Sequence, residues 1–299
     1  MKYIVTGSNG ALGHDLVKEL EKREYDVLKG TRENMDVTNR ELVLDTVTKY
    51  HPDVIIHPAA YTQVDMAENM EKFVMNTNGY GTKNVIDAAK KVGAKVIYVS
   101  TDYVFDGTKD GVYEVDDQTN PLSVYAKSKL LGEEFTKEYD KSFIVRTTGV
   151  FGIFGNNFVK TMLRLSDTHD EVSVVNDQIM SPTYAVDLAK LLVDMSLTDK
   201  YGTYHATNTG YISWAEFAEE IFGVFEKDTK VNKITTEEYL SKQTKTIAPR
   251  PMNSRLSSES LKQNGFEPLP FYLDALVRYK NELEPKKKEV TNPKSLILK

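Results

Sequence analysis

Short apolar runs alternate along the first half of the chain with stretches of helical periodicity. The runs predict five strands, at residues 3–5, 25–28, 53–57, 96–99 and 143–146. Between the runs, apolar side chains recur every three or four residues, as Leu12, Leu16 and Leu20 do after the first run. Strands that alternate with helices in this way form right-handed βαβ units and a parallel sheet. The pattern therefore predicts a doubly wound α/β fold of the Rossmann type.

A glycine-rich loop, G-S-N-G-A-L-G at residues 7–13, joins the first predicted strand to the first predicted helix. Glycines at such a junction permit a tight turn and let a pyrophosphate approach the helix N-terminus. The spacing is G-x-x-G-x-x-G, a variant of the simple Rossmann loop. The predicted cofactor contacts here are Gly7, Asn9, Gly10, Ala11, Leu12 and Gly13.

The end of the second predicted strand bears on the choice of cofactor. An acidic residue there binds the ribose hydroxyl of NAD, whereas a basic residue accommodates the 2′-phosphate of NADP. Lys29 and Arg32 flank this strand end, and no acid stands at its tip. We therefore expect NADPH, with NADH as the alternative.

Two further segments are expected beside the cofactor. Asp36, followed by Val37, either contacts the adenine or caps the next helix, and the sequence does not separate these roles. After the third strand, the small residues Ala59 and Ala60, followed by Tyr61, would let a cofactor lie against the backbone.

A hydroxyl and a phenol–amine pair predict the reactive centre. Thr101 ends the fourth strand, at the sheet edge where α/β proteins bind ligands. Tyr125 and Lys129 stand four residues apart and so share a helix face. A cation near a phenol lowers its pKa from about 10, toward the range in which a general acid works best. A Y-x-x-x-K spacing alone also suits an ordinary surface helix, but its position after this strand favours a carbonyl-reduction site.

From Gly149 onward the character of the chain changes. We expect residues 1–150, rejoined by 182–208, to form the dinucleotide-binding domain. Residues 151–181 and 209–284 would form a smaller substrate-binding domain, and 285–299 a basic, frayed tail. Ser213 is expected to cap a helix whose aromatic stripe, beginning at Trp214, is most simply core.

Composition excludes several classes of function. The net charge of −6 argues against general nucleic-acid binding. No cysteine is present, which excludes disulfides and thiol chemistry and is compatible with the cytosol. The first strand begins at once after Met1, which would leave no room for a signal sequence, and no apolar run approaches the ~18 residues of a membrane span. We therefore expect a cytoplasmic protein that binds neither membranes nor nucleic acids.

Taken together, the motifs resemble the extended short-chain dehydrogenase/reductases and, within them, the dTDP-4-dehydrorhamnose reductases. The narrower match rests on motifs that span nearly the whole chain: A-A-Y-T-Q-V-D-M-A-E, S-T-D-Y-V-F-D-G, P-L-S-V-Y-A-K-S-K-L, G-N-N-F, N-D-Q-I-M-S-P-T and R-P-M-N-S-R-L.

The resemblance implies that a nicotinamide cofactor reduces the 4-keto group of a dTDP-4-keto-6-deoxyhexose, most simply dTDP-4-dehydrorhamnose to dTDP-L-rhamnose, a cell-surface polysaccharide precursor. It implies a catalytic triad of Thr101, Tyr125 and Lys129, in which Tyr125 donates the proton and Lys129 lowers the pKa of Tyr125 and holds the nicotinamide ribose. The implied substrate contacts are Thr101, Asp102, Asn157, Gln178 and Arg250, with Arg250 at the diphosphate.

One departure from the family pattern concerns the pocket. The family usually reads R-T-S-W-V after the fifth strand, and here Gly149 replaces the tryptophan. The sugar's identity is therefore open. Some members bind magnesium at a dimer interface through a helix on which Asp15 lies here, but we expect no metal; a homodimer is a further expectation.

Two alternatives remain at this stage. One is an epimerase or dehydratase of the same superfamily, which the lack of the usual substrate-domain signals disfavours. The other is a non-catalytic NADP-binding regulatory subunit, which the intact pair of Tyr125 and Lys129 disfavours.

Overall fold

The computed structural model describes residues 1–284, so the predicted tail at 285–299 lies outside the described residues. The strands are β1 Lys2–Thr6, β2 Asp26–Gly30, β3 Val54–His57, β4 Lys95–Thr101, β5 Ser142–Thr147, β6 Val150–Phe151, β7 Glu171–Val175, β8 Ile179–Met180, β9 Thr183–Tyr184, β10 Gly202–His205, β11 Asn208–Thr209, β12 Ile212–Ser213, β13 Lys230–Ile234 and β14 Leu269–Phe271.

The helices alternate with these strands in the first half of the chain. They are α1 Ala11–Lys22, α2 Arg40–Tyr50, α3 Val64–Ala67, α4 Glu71–Val74, α5 Gly81–Val92, α6 Val124–Lys137, α7 Phe158–Ser166, α8 Ala185–Ser196, α9 Trp214–Val224, α10 Thr236–Ser241, α11 Glu259–Gln263 and α12 Tyr272–Leu283. A π-helical segment, Met75–Tyr80, leads into α5, and a 3₁₀ turn, Asp102–Val104, follows β4.

A six-stranded sheet in the order β10-β5-β4-β3-β1-β2 organises the fold. All its neighbouring strands run parallel. The five strands predicted from the apolar runs are therefore confirmed, and a sixth strand, β10, pairs with β5 at one edge of the sheet. The order of connection reverses at β1 and β3, which is where doubly wound sheets open a crevice for ligands.

Both faces of the sheet are buried, because side chains alternate between two cores. On β1, Tyr3 and Val5 belong to a core with α1 and α8, whereas Ile4 belongs to a core with α2 and α5. A strand buried on both faces reads as a continuous apolar run, which is why the apolar runs located these strands. Within residues 1–284, no helix combines the length and apolar character that a membrane crossing requires.

A separate hydrophobic core lies in the second half of the chain. It is built around Phe151, Phe217 and Tyr279, all nearly inaccessible to solvent. Short strand pairs frame it: β6 with β9, β8 with β12 and β7 with β13. The domain boundaries drawn from the sequence stay a prediction.

Candidate active site

The loop between β1 and α1 has a shape that requires glycine. Gly7 adopts a φ of +58°, and a Cβ there would lie 2.9 Å from the Cα of Ala59. A Cβ on Gly13 would lie only 2.2 Å from the carbonyl oxygen of Gly7. Gly10 is the N-cap of α1 and has no side chain to occupy the N–H groups of the first turn. Those groups are available to an anion, as a pyrophosphate site requires.

A cleft of about 880 Å³ runs from this loop to the carboxyl ends of β4 and β5. Every cofactor contact predicted from the sequence lines it, except Tyr61. The predicted substrate contacts Thr101 and Asp102 line it as well. The topology thus brings the glycine loop, the strand ends and the start of α6 to one cavity.

One end of the cleft presents an exposed cationic side chain. Arg32 is exposed and lines the cavity, with Glu33 beside it. Lys29, by contrast, pairs with Glu21 at 2.7 Å. The basic character expected at the end of β2 is therefore supplied to the cleft by Arg32.

Asp36 does not cap a helix. The cap of α2 is Asn39, whose Oδ1 accepts from the Leu42 backbone N–H at 3.1 Å. Asp36 Oδ1 instead accepts from the backbone N–H of Thr38 at 2.9 Å and lines the cleft. Of the two roles left open by the sequence, capping is excluded.

Thr101 and Tyr125 meet at the other end of the cleft, where α6 begins. Ser123 caps α6 by accepting from the Ala126 N–H at 3.2 Å, and so fixes the turn that carries Tyr125. Thr101 Oγ1 donates to Asp102 Oδ1 at 3.0 Å. Burial raises the pKa of Asp102 to about 6. Tyr103 packs edge-on against the Tyr125 ring, with centroids 6.0 Å apart.

Lys129 is a buried amine, 2% exposed. Its Nζ donates to the Val99 carbonyl oxygen at 2.7 Å and lies 4.2 Å from the centre of the Tyr98 ring. Burial lowers the pKa of Lys129 to about 7. The carbonyl and the aromatic face partly replace the water that the ammonium loses.

The pKa of Tyr125 departs from the expectation that Lys129 lowers it. Burial, and next the negative charge of Asp102, raise the pKa of Tyr125, and the Thr101 hydroxyl opposes them only in part. The expectation of a lowered pKa is wrong for this arrangement, because spacing alone does not account for burial or for the nearby carboxylate. The phenol is therefore protonated at neutral pH.

A buried hydrogen-bond network supports the cleft from below. His57 lies between the Thr6 and Thr82 hydroxyls, at 2.6 and 3.1 Å. Burial lowers its pKa to about 3, so the ring is neutral. Asn78, in the π-helical segment, donates to Ser128 Oγ at 2.9 Å and to the Tyr61 carbonyl at 3.1 Å. It ties the loop after β3 to the helix that carries Tyr125.

Three residues expected to contact substrate do not line this cleft. Asn157 caps α7, accepting from the Lys160 N–H at 3.0 Å. Gln178 donates to Thr236 Oγ1 at 3.0 Å. Arg250 pairs with Asp65 at 2.9 Å. Their roles in substrate binding stay predictions.

Sequence reasoning missed other residues of the cleft. Trp214, interpreted as core, lines it, whereas its stripe partner Phe217 is only 1% exposed. Ser100 and Thr147, at the ends of β4 and β5, have buried hydroxyls without a partner in the described structure, and both line the cleft. Buried unpaired hydroxyls are costly, so we expect a water molecule or a bound ligand to pair with these two. The sequence signal that could have identified Ser100 and Thr147 was their position at the ends of two adjacent strands.

No three histidine or acidic side chains within residues 1–284 group closely enough to hold a metal ion. Asp15 is 2% exposed, and burial, followed by the charge of Glu282, raises its pKa to about 6. Whether a metal binds stays a prediction.

Comparison with known proteins places the chain in a family. Residues 1–284 match the family model described as the RmlD substrate binding domain. The chain is 41% identical to a dTDP-4-dehydrorhamnose reductase of Aggregatibacter actinomycetemcomitans, over 88% of this chain and 92% of the relative. The chain belongs to the dTDP-4-dehydrorhamnose reductase family.

Two further relatives of this reductase family cover nearly the full length. One is the spore coat polysaccharide biosynthesis protein SpsK of Bacillus subtilis (strain 168), 38% identical over 94% of this chain and 97% of the relative. The other is a solved structure of a dTDP-4-dehydrorhamnose reductase from Bacillus anthracis str. Ames in complex with NADP. It is 42% identical, with a TM-score of 0.90, over 94% of this chain and 99% of that chain. The resemblance stated from the motifs is confirmed.

Proposed function

We propose that this protein uses NADPH to reduce the 4-keto group of a dTDP-4-keto-6-deoxyhexose, most simply dTDP-4-dehydrorhamnose to dTDP-L-rhamnose. The observation that carries the proposal is the convergence of Thr101, Tyr125 and Lys129 on the dinucleotide cleft of a chain from this reductase family. NADP is bound in the related Bacillus anthracis structure.

The cleft suits a dinucleotide along its whole length. The N–H groups at the start of α1 would bind the pyrophosphate, and the close approach of Gly7 and Gly13 leaves the backbone bare for it. The Arg32 guanidinium would pair with the 2′-phosphate. Lys129 would hold the nicotinamide ribose. When bound, the reduced nicotinamide supplies the hydride.

Tyr125 is the proposed proton donor. Because burial and Asp102 raise its pKa, the phenol carries its proton at neutral pH, which is the state that a donor needs. Thr101 would donate a second hydrogen bond to the carbonyl oxygen by turning its hydroxyl away from Asp102, to which it donates in this structure. As negative charge develops on that oxygen, the phenol proton transfers to it, and the Lys129 ammonium stabilises the phenolate left behind.

We further propose that the core around Phe217 and Tyr279 forms the substrate-binding domain, with the boundaries given from the sequence. Its position beside the carboxyl ends of β4 and β5 supports this assignment, since Gly149 and Trp214 enter the same cleft. Roles for Asn157, Gln178 and Arg250 belong to this proposal. A cytoplasmic location and a homodimer remain predictions, to be tested by cell fractionation and light scattering.

Stopped-flow absorbance at the reduced-nicotinamide band tests the function. Wild-type protein should oxidise NADPH in the presence of dTDP-4-dehydrorhamnose, with one L-rhamnosyl product per NADPH by NMR. If the NADPH concentration stays constant while a sugar isomer forms, the result would instead indicate the epimerase alternative. No product with any of a panel of 4-keto sugar nucleotides, using either cofactor, would contradict the proposal.

A further inference from the structure

Trp214 is the only tryptophan of the chain, and it is fixed at the first position of α9. A capping box holds this helix start: the Ser213 N–H donates to Glu216 Oε2 at 3.0 Å, and the Glu216 N–H donates to Ser213 Oγ at 3.1 Å. The indole packs against the Phe158 ring with centroids 4.6 Å apart. Its orientation is therefore set by the protein before any ligand binds.

The indole is half-buried: it packs against the core of the second half of the chain and also lines the cleft, whereas the stripe members inside that core do not line it. A core role explains Phe217 and Phe222, which are nearly inaccessible. A core role alone does not explain why the capped start of α9 holds the Trp214 ring at the wall of the cleft. Such rings commonly supply large apolar contact area to ligands.

Gly149 lines the same cleft, and it lies close to β8, the strand that pairs with β12 just before Trp214. A Cβ on Gly149 would lie 3.1 Å from the Met180 Sδ. Met180 in β8 pairs with Ile212 in β12, and the Trp214 N–H donates to the Gln178 carbonyl at 3.3 Å. The bare position and the indole are thus linked through the same short strand pair, and both line the cleft.

We propose that Trp214 is a specificity-determining residue that supplies the apolar wall for the deoxyhexose ring of the sugar nucleotide, where Gly149 contributes no side chain. This inference rests on the proposed function. A 6-deoxyhexose presents a methyl group and ring C–H groups on one face, which pack well on the electron-rich face of an indole. The wall would thereby contribute to selection of the sugar.

Kinetics of Trp214→Ala test the proposal. The KM for dTDP-4-dehydrorhamnose should rise about fivefold to tenfold, the kcat should change less than about twofold, and the Kd for NADPH should stay the same. Trp214→Phe should restore most of the sugar affinity. Phe271→Ala is the matched control, because it removes a half-exposed aromatic ring outside the cleft.

Fluorescence gives a readout that is independent of turnover. Since Trp214 is the only tryptophan, dTDP-L-rhamnose should change its emission, and dTDP without the sugar should not. A response to dTDP-L-rhamnose in a wild-type protein that shows no turnover would support the wall while contradicting the reductase function. Normal turnover with an unchanged KM in Trp214→Ala would overturn the wall alone. A lower Tm in Trp214→Ala, with equal losses of affinity for NADPH and for the sugar nucleotide that Trp214→Phe does not restore, would assign Trp214 a structural role. That result would also overturn the proposal.

Discussion

Replacing Lys129 by Met should make the protein more stable and much less active. The Lys129 amine is 2% exposed, and burial lowers its pKa from 10.5 to about 7. A difference of about 3.5 in pKa corresponds to about 5 kcal/mol by which the charged lysine opposes folding at low pH. Methionine removes that cost but leaves the Val99 carbonyl without its donor, which costs about 1–3 kcal/mol. The variant should therefore be about 2–4 kcal/mol more stable at about pH 6.

The pH dependence of the stability difference shows whether the buried lysine charge is its cause. Above about pH 7 the unfolded chain binds a proton that the folded Lys129 does not, so wild-type stability rises with pH. The advantage of Lys129→Met should shrink by about 2 kcal/mol between about pH 7 and pH 9. Urea unfolding followed by circular dichroism at several pH values measures this difference in the free energy of unfolding.

Lys127→Met is the matched control, because Lys127 is exposed on the same helix. Its effect on stability should be small and independent of pH. A difference between Lys129→Met and wild type that stays constant from about pH 6 to pH 9 would refute the claim that burial lowers the Lys129 pKa.

Three further substitutions test the cofactor loop, the cofactor preference and the core. Gly13→Ala forces a Cβ to within 2.2 Å of the Gly7 carbonyl oxygen. The free energy of unfolding should therefore fall by about 3 kcal/mol, and the NADPH Kd should rise at least about tenfold. Gly223→Ala is the control, because its Cβ would enter open space, and it should neither lower stability nor raise the NADPH Kd. Arg32→Ala should lower the NADPH-to-NADH ratio of kcat/KM about tenfold, whereas Lys29→Ala should leave it unchanged. Arg146→Met leaves the buried Glu133 carboxylate, which is 0% exposed, without its arginine partner. The free energy of unfolding measured in urea should therefore fall by about 3–5 kcal/mol.

Each of these has a result that would count against it. Unchanged NADPH binding in Gly13→Ala would mean that the loop is not the pyrophosphate site. An unchanged cofactor ratio in Arg32→Ala would remove Arg32 from the 2′-phosphate. A cost below about 1 kcal/mol in Arg146→Met would mean that the pair with Glu133 is solvated like a surface ion pair.

The sheet and the cofactor loop could be predicted from the sequence because their signals are local. Strands buried on both faces are apolar runs, and the glycines of residues 7–13 are required by backbone contacts within the loop and to Ala59. The position of Thr101 followed from the end of one such run. Each of these signals can be read within a short stretch of sequence.

The rest depends on contacts that spacing does not encode. The raised pKa of Tyr125 arises from burial and from Asp102, which the turn after β4 places nearby. The pairing of β8 with β12 leads Trp214 to the cleft, and an aromatic stripe alone cannot tell which member leaves the core. Asn39, three residues after Asp36, caps α2 because the intervening turn shifts the helix start.

The account depends most on Tyr125 as the proton donor. Single-turnover reduction of dTDP-4-dehydrorhamnose by Tyr125→Phe, with matched Tm and NADPH Kd as controls, tests it most directly. The rate should fall by about 10²- to 10⁴-fold, because the ring remains and only the proton-donating hydroxyl is lost. A rate within about twofold of wild type would contradict the account.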